Sequence, residues 1–138
     1  MNQSPEEKRK QRRTPVEISV KAKIIRAEES LGPLVLSGMI MDLSPAGAGV
    51  LLFKMTERDY RHIVRYRATK LIKLRFQLEP DPEPILVSGS IIYLDFLNKV
   101  TYTACGVGVA FDELDIEARE RIQAYLESPR QQEQHQEG

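Results

Sequence analysis

The sequence predicts a mainly β fold: six short antiparallel strands closing into a barrel, with a short inserted helix and a C-terminal α-helix. Three observations carry this. Ile18, Val20, Ala22 and Ile24 alternate with Glu17, Ser19, Lys21 and Lys23, which is the period of a strand with one wet face. Apolar runs of strand length then recur, separated by turn chemistry at Asp42–Gly47 and at Glu79–Pro84. Near the end the period changes, and Ala118, Ile122, Tyr125 and Leu126 share one helical face behind Asp115, a capping residue type. The chain has 138 residues, enough for one domain that buries about 68–70% of its unfolded surface.

Taken in order, residues 1–14 read as a flexible basic arm and residues 15–128 as a single domain. Residues 129–138, which are polar, read as a disordered tail. Thr14-Pro15 ends the arm, because the residue before proline is pushed toward extended geometry. The first strand follows, and Glu28–Pro33 turns it. Leu34–Met41 is the second strand. Asp42-Leu43-Ser44-Pro45-Ala46-Gly47 is a corner in which Asp and Ser bond nearby backbone and Gly takes a positive φ. The third strand runs from Ala48 to about Lys54, antiparallel to the second because no crossover connection is available.

Thr56-Glu57-Arg58-Asp59 has capping-box spacing, and Tyr60, Ile63 and Val64 share one face of a helix over residues 57–67. Leu71, Leu74, Phe76 and Leu78 suggest the fourth strand. The prolines of Glu79–Pro84 exclude a central strand there. Ile85, Val87, Gly89, Ile91 and Tyr93 form the fifth strand, turned by Asp95–Lys99. Thr101–Phe111 is the sixth, with Cys105, Val107, Val109 and Phe111 on one face. Gly106 and Gly108 lie on the other face, where something must pack closely.

Bulk charge is silent about partners: 20 basic and 20 acidic residues cancel. Its distribution is not. Residues 1–13 and 56–75 are basic, and from Asp112 onward acids dominate, so one pole favours an anionic ligand. The single cysteine, Cys105, excludes an internal disulfide and fits a reducing compartment. With a charged leader and no apolar run near the ~18 residues of a spanning helix, the expected location is the cytoplasm, without membrane insertion.

Two short motifs carry the chemistry. Arg9-Lys10-Gln11-Arg12-Arg13 contains RxxxR, and Asp42–Gly47 reads DxSxxG. Residues 14–41, a spacing of 28, separate them. Alone, the first is a common solubilising tail and the second a turn. Together with Thr14-Pro15-Val16 and Gly106-Val107-Gly108-Val109-Ala110-Phe111, over residues 8–127, the chain resembles the PilZ domain family. The resemblance implies a PilZ-like barrel that binds cyclic di-GMP, with Arg9, Arg13, Asp42, Ser44 and Gly47 as the ligand-binding residues. Lys8 and Arg12 are further candidates. No cofactor or metal is implied.

The physical case is independent of the resemblance. Two phosphodiesters and two guanines need cations and a guanine reader. An arginine fork matches guanine O6 and N7, pairs with phosphate oxygens, and stacks on a purine. A carboxylate such as Asp42 accepts from guanine N1–H and N2–H, Ser44 can donate, and Gly47 lets backbone approach. The resemblance also implies a regulated partner protein. Relatives serve flagellar motility, exopolysaccharide and biofilm control, secretion and transcription, and nothing in the sequence selects among these.

An enzyme is not expected. His62 and His135 have no catalytic partner, Cys105 reads as a core residue, and phosphate-cradling and nucleophile-elbow motifs are absent. A ligand-independent adaptor is the main alternative. A nucleic-acid module is disfavoured by zero net charge, acidic Glu79–Glu83 and few exposed aromatic candidates.

Overall fold

A computed structural model describes residues 13–26, 32–65, 71–98 and 103–128. Its strands are β1 (Thr14–Ile24), β2 (Leu34–Ser44), β3 (Gly47–Phe53), β4 (Leu71–Gln77), β5 (Pro84–Asn98) and β6 (Thr103–Phe111). Helix α1 is Glu57–Arg65 and α2 is Ile116–Leu126. Every paired strand is antiparallel, and the sheet closes as a barrel in the order β1-β2-β3-β6-β5-β4. Closure through β1 and β4 gives every strand a hydrogen-bonded neighbour on both sides, which removes the free edge strands of an open sheet.

The alternation read from β1 is the one observed: Val16, Ile18, Val20, Ala22 and Ile24 are buried, and the residues between them face out. They meet Ile72, Leu74 and Phe76 of β4 and Val50, Leu52, Val107 and Val109 of β3 and β6 in one core cluster. Truncating a fully buried member such as Leu52 to alanine costs about 2–5 kcal/mol. Ile122 of α2 is fully buried in the same cluster, so the terminal helix caps the barrel as expected. Asp115 caps α2: its Oδ1 accepts the Ala118 N–H at 2.7 Å. Arg121 ties α2 to the proline loop through Asp81, at 2.8 Å.

Helix α1 starts where its capping residue predicts, with Thr56 Oγ1 accepting the Asp59 N–H at 3.0 Å. It is pinned by buried Ile63, by Arg26–Asp59 at 3.8 Å, and by Tyr60, whose ring stacks on Phe96 at 5.1 Å. Its expected residues 66 and 67 lie outside the described residues, as do the arm 1–12, the turn residues 27–31, and the tail 129–138.

Three expectations change. β5 does not turn at Asp95; it continues to Asn98, pairing with β6 from Tyr93 to Asn98. A bulge between Ile91 and Tyr93 resets its alternation, leaving Ile92 and Tyr93 both exposed. Leu71, grouped with the inward residues of β4, faces out at 39% exposure because Ile72, Leu74 and Phe76 set the phase. Finally, the corner is tighter than Asp42–Gly47: β2 runs through Ser44 and β3 begins at Gly47, so Pro45 and Ala46 alone lie between.

Candidate functional site

Asp42 owes its position to a bulge. Ile40 and Leu43 are both fully buried, a spacing of three that a regular strand cannot produce. The register of β2 against β3 shifts between Ile40 and Asp42; a bulge inserts one residue and re-aims the next. Asp42 thereby stands on the outer face, with a third of its side chain exposed.

Around it the backbone is arranged to receive a carboxylate. Oδ1 accepts the Gly49 N–H at 2.9 Å and the Arg13 guanidinium, through Nη1, at 3.3 Å. Oδ2 has no partner among the described residues. A Cβ at Gly49 would lie 2.5 Å from Oδ2 and 2.9 Å from Oδ1, so only glycine leaves room. Gly47 is constrained likewise: its Cβ would lie 2.3 Å from the Val109 carbonyl oxygen and 3.4 Å from Arg13 Nη2. The expected positive φ is not found at these corner glycines. Among the described residues the positive-φ glycine is Gly32; Gly47 and Gly49 are needed for space rather than for backbone angle.

Ser44 is 1% exposed. Its Oγ accepts the Ala46 N–H at 3.0 Å and the Gly47 N–H at 3.2 Å. The hydroxyl thus closes the corner, holding Gly47 beneath the Arg13 guanidinium. Arg13 is brought there by β1, whose Thr14 and Pro15 pair with Leu43 and Asp42. The Arg13–Asp42 pair, 28% and 35% exposed, is worth at most about 1 kcal/mol of stability. What the fold builds here is a surface-held cation and anion over bare backbone. Lys8, Arg9 and Arg12 lie outside the described residues. Of the sequence-selected residues, the structure brings together Arg13, Asp42, Ser44 and Gly47.

Sequence reasoning missed Gly49 as the seat of the carboxylate. It expected close packing at Gly108 without naming the partner, which is the ring of Tyr93. Elsewhere, Cys105 is fully buried, and burial pushes its thiol up to about 11, so it is uncharged and unreactive near neutrality. No group of three metal-ligating side chains occurs among the described residues. Among those residues, no helix is long and apolar enough to cross a membrane.

A family model for the PilZ domain matches residues 7–128. A search of curated proteins found no sequence match. Among solved structures, the PilZ domain of YcgR from Escherichia coli with c-di-GMP is similar at 11% identity and TM-score 0.58, covering 91% of this chain and 93% of that one. K. pneumonia MrkH is similar at 10% identity and TM-score 0.61, covering 99% and 53%. The Borreliella burgdorferi PlzA protein in complex with c-di-GMP is similar at 10% identity and TM-score 0.52, covering 91% and 49%. The chain therefore spans about half the length of MrkH and PlzA.

Proposed function

The chain belongs to the PilZ domain family, and from that premise we propose that it is a cyclic di-GMP receptor that regulates a partner protein. The observation that carries this reading is the meeting of Arg13 and Asp42 at 3.3 Å above two glycines that admit no side chain. A dianionic ligand with two purine faces and two guanine edges uses each part of that arrangement.

Arg13 supplies charge and a planar fork. It can pair with a phosphodiester or with guanine O6 and N7, and it can stack on a base. Asp42 keeps Oδ2 available, and a carboxylate in this position accepts from guanine N1–H and N2–H. Adenine offers no such donor pair, so a site built on that match rejects it strongly. Ser44 acts through the corner it closes, and Gly47 leaves the backbone approachable. Arg9 supplies the second guanidinium, with Lys8 and Arg12 alongside.

The arm expected over residues 1–14 is shorter by its last two, since Thr14 opens β1 and Arg13 already meets Asp42; in this reading the ligand draws residues 1–12 against the barrel. Ordering entropy opposes affinity, and the altered surface is what the regulated protein reads. Motility, exopolysaccharide, biofilm or secretion control would follow from the identity of that protein. The chemistry is binding, with no catalytic step.

Calorimetry on the full chain tests this with cyclic di-GMP, cyclic di-AMP and a DNA oligomer in parallel. Heat is expected from the first alone, and Arg13→Ala abolishes it with the fold intact. Equal titration by cyclic di-AMP, or none by cyclic di-GMP, rejects the reading.

A further inference from the structure

The rung that holds Asp42 extends beyond the residues assigned so far. Asp42 pairs with Gly49, Gly49 with Gly108, and Gly108 with Tyr93. Residues directly opposite on antiparallel strands stand on one face. That face is the outer one, because Val50, Val107 and Val109 beside them are core residues at 0–2% exposure.

The two ends of the rung lean toward each other. A Cβ at Gly49 would meet Asp42 Oδ2 at 2.5 Å. A Cβ at Gly108 would meet Tyr93 Cε1 at 1.9 Å and Cδ1 at 2.2 Å. The carboxylate therefore lies over β3 and the phenol ring over β6, about one strand spacing, ~4.8 Å, apart. The ring rests on Gly108, while Tyr93 as a whole is 49% exposed. Such a half-open aromatic, fixed by contact with backbone, is a preorganised platform with only two torsions to immobilise.

We propose, resting on the receptor reading above, that Tyr93 is the aromatic support of the ligand site. A guanine accepted at its Watson–Crick edge by Asp42 extends over Gly108 and stacks on the Tyr93 ring. Stacking is tolerant of base identity, so Tyr93 sets affinity while Asp42 sets the choice of guanine. The phenol hydroxyl has no part in the stack.

The test uses the full chain with cyclic di-GMP and cyclic di-AMP. Tyr93→Leu keeps an apolar cover over Gly108 but removes the π face. It is expected to weaken cyclic di-GMP binding roughly 5- to 150-fold, the range of one base–aromatic stack, with the melting temperature held. Tyr93→Phe binds as wild type. Asp42→Asn, in contrast, narrows the gap between the two dinucleotides, which Tyr93→Leu leaves unchanged.

The chain contains no tryptophan, so Tyr93→Trp installs a single tryptophan, and its selectively excited emission is expected to be quenched as ligand saturates. Wild-type binding with Tyr93→Leu within twofold of it, or unchanged Tyr93→Trp emission at saturation, overturns the stacking role and leaves the receptor reading standing. Absence of wild-type binding removes both.

Discussion

Two outer walls of the same barrel are built on opposite principles. On the β3–β6 wall the outward positions nearest Asp42 are Gly47, Gly49, Gly108 and Ala110, with Leu51, Phe53 and Gly106 further along, and the polar groups beside them, Arg13 and Asp42, are paired. On the β1–β4 wall four of the outward positions are long cations. Lys21 stands directly opposite Arg75, and Lys23 opposite Lys73. None of the four has a carboxylate partner among the described residues; Lys21 reaches Ser37 Oγ at 2.9 Å. An open depression of about 620 Å³ lies on that side, lined in part by Lys21, Arg75 and Phe53, with no residue of the Arg13–Asp42 site. The comparison teaches how charge density and a bare backbone surface can be separated on one barrel, and the proposed receptor reading places the dinucleotide on the second. Four mutually repelling ammonium and guanidinium groups offer potential with no carboxylate among them. The glycine wall offers bare backbone, and in the proposed reading Arg13 and Asp42 orient the ligand on it.

Exchanging the walls' features should break the contrast, and the largest effect is expected at Asp42. Asp42→Ala removes the guanine acceptor and leaves Arg13 without its partner, for a loss of about 2–5 kcal/mol in cyclic di-GMP affinity. Lys21→Ala, equally a change of one charge, should shift affinity less than twofold. Calorimetry on the two variants at one salt concentration checks both. If Lys21→Ala were the more damaging, ligand recognition would belong to the cationic wall.

Next comes the cost of filling the bare surface. Gly108→Val drives a side chain into the Tyr93 ring, and overpacking of this kind costs about 1–3 kcal/mol. Thermal unfolding should show a lower midpoint, whereas Lys73→Val on the opposite wall should not lower it. Equal midpoints for Gly108→Val and wild type would mean that Tyr93 moves aside freely and is no fixed support.

The smallest effect sharpens the comparison from the cationic side. Like charges facing across strands destabilise by about 0.2–1 kcal/mol, so Lys73→Glu, which places opposite charges across from each other, should raise the midpoint slightly. The gain should fade at 1 M salt, where the screening length falls to about 3 Å. A gain that persisted there would have a packing origin instead.

Much of this was legible in the sequence because β alternation is a one-dimensional signal. The wet face of β1, the capping of α2 by Asp115 and the corner at Asp42–Gly47 could be read directly from residue types. What escaped reading depends on a second strand. The bulge that turns Asp42 outward lies in the register between β2 and β3, visible beforehand only as the unequal spacing of Ile40 and Leu43. The bulge at Ile91–Tyr93 likewise concealed the continuation of β5 to Asn98. Gly49 read as one more residue of the third strand until its pairing put it beneath a carboxylate, and the pairing with β5 gave Gly108 its covering ring. Backbone angles were a poor guide to these glycines because their constraint comes from neighbours across the sheet.

The pairing of Thr14 with Leu43 and Pro15 with Asp42 has one more consequence, which is kinetic. The leader joins the barrel at the site itself, and the four residues from Arg13 to Arg9 span at most about 14 Å of contour. If Arg9 binds the ligand as proposed, it does so as a tethered reactant, and short tethers of this length correspond to millimolar effective concentration. Once a ligand has settled on Asp42, recruiting the second guanidinium is an intramolecular search rather than a second encounter. Lengthening the leader between Arg9 and Arg13 with glycine would dilute it, and dissociation would accelerate while association held steady.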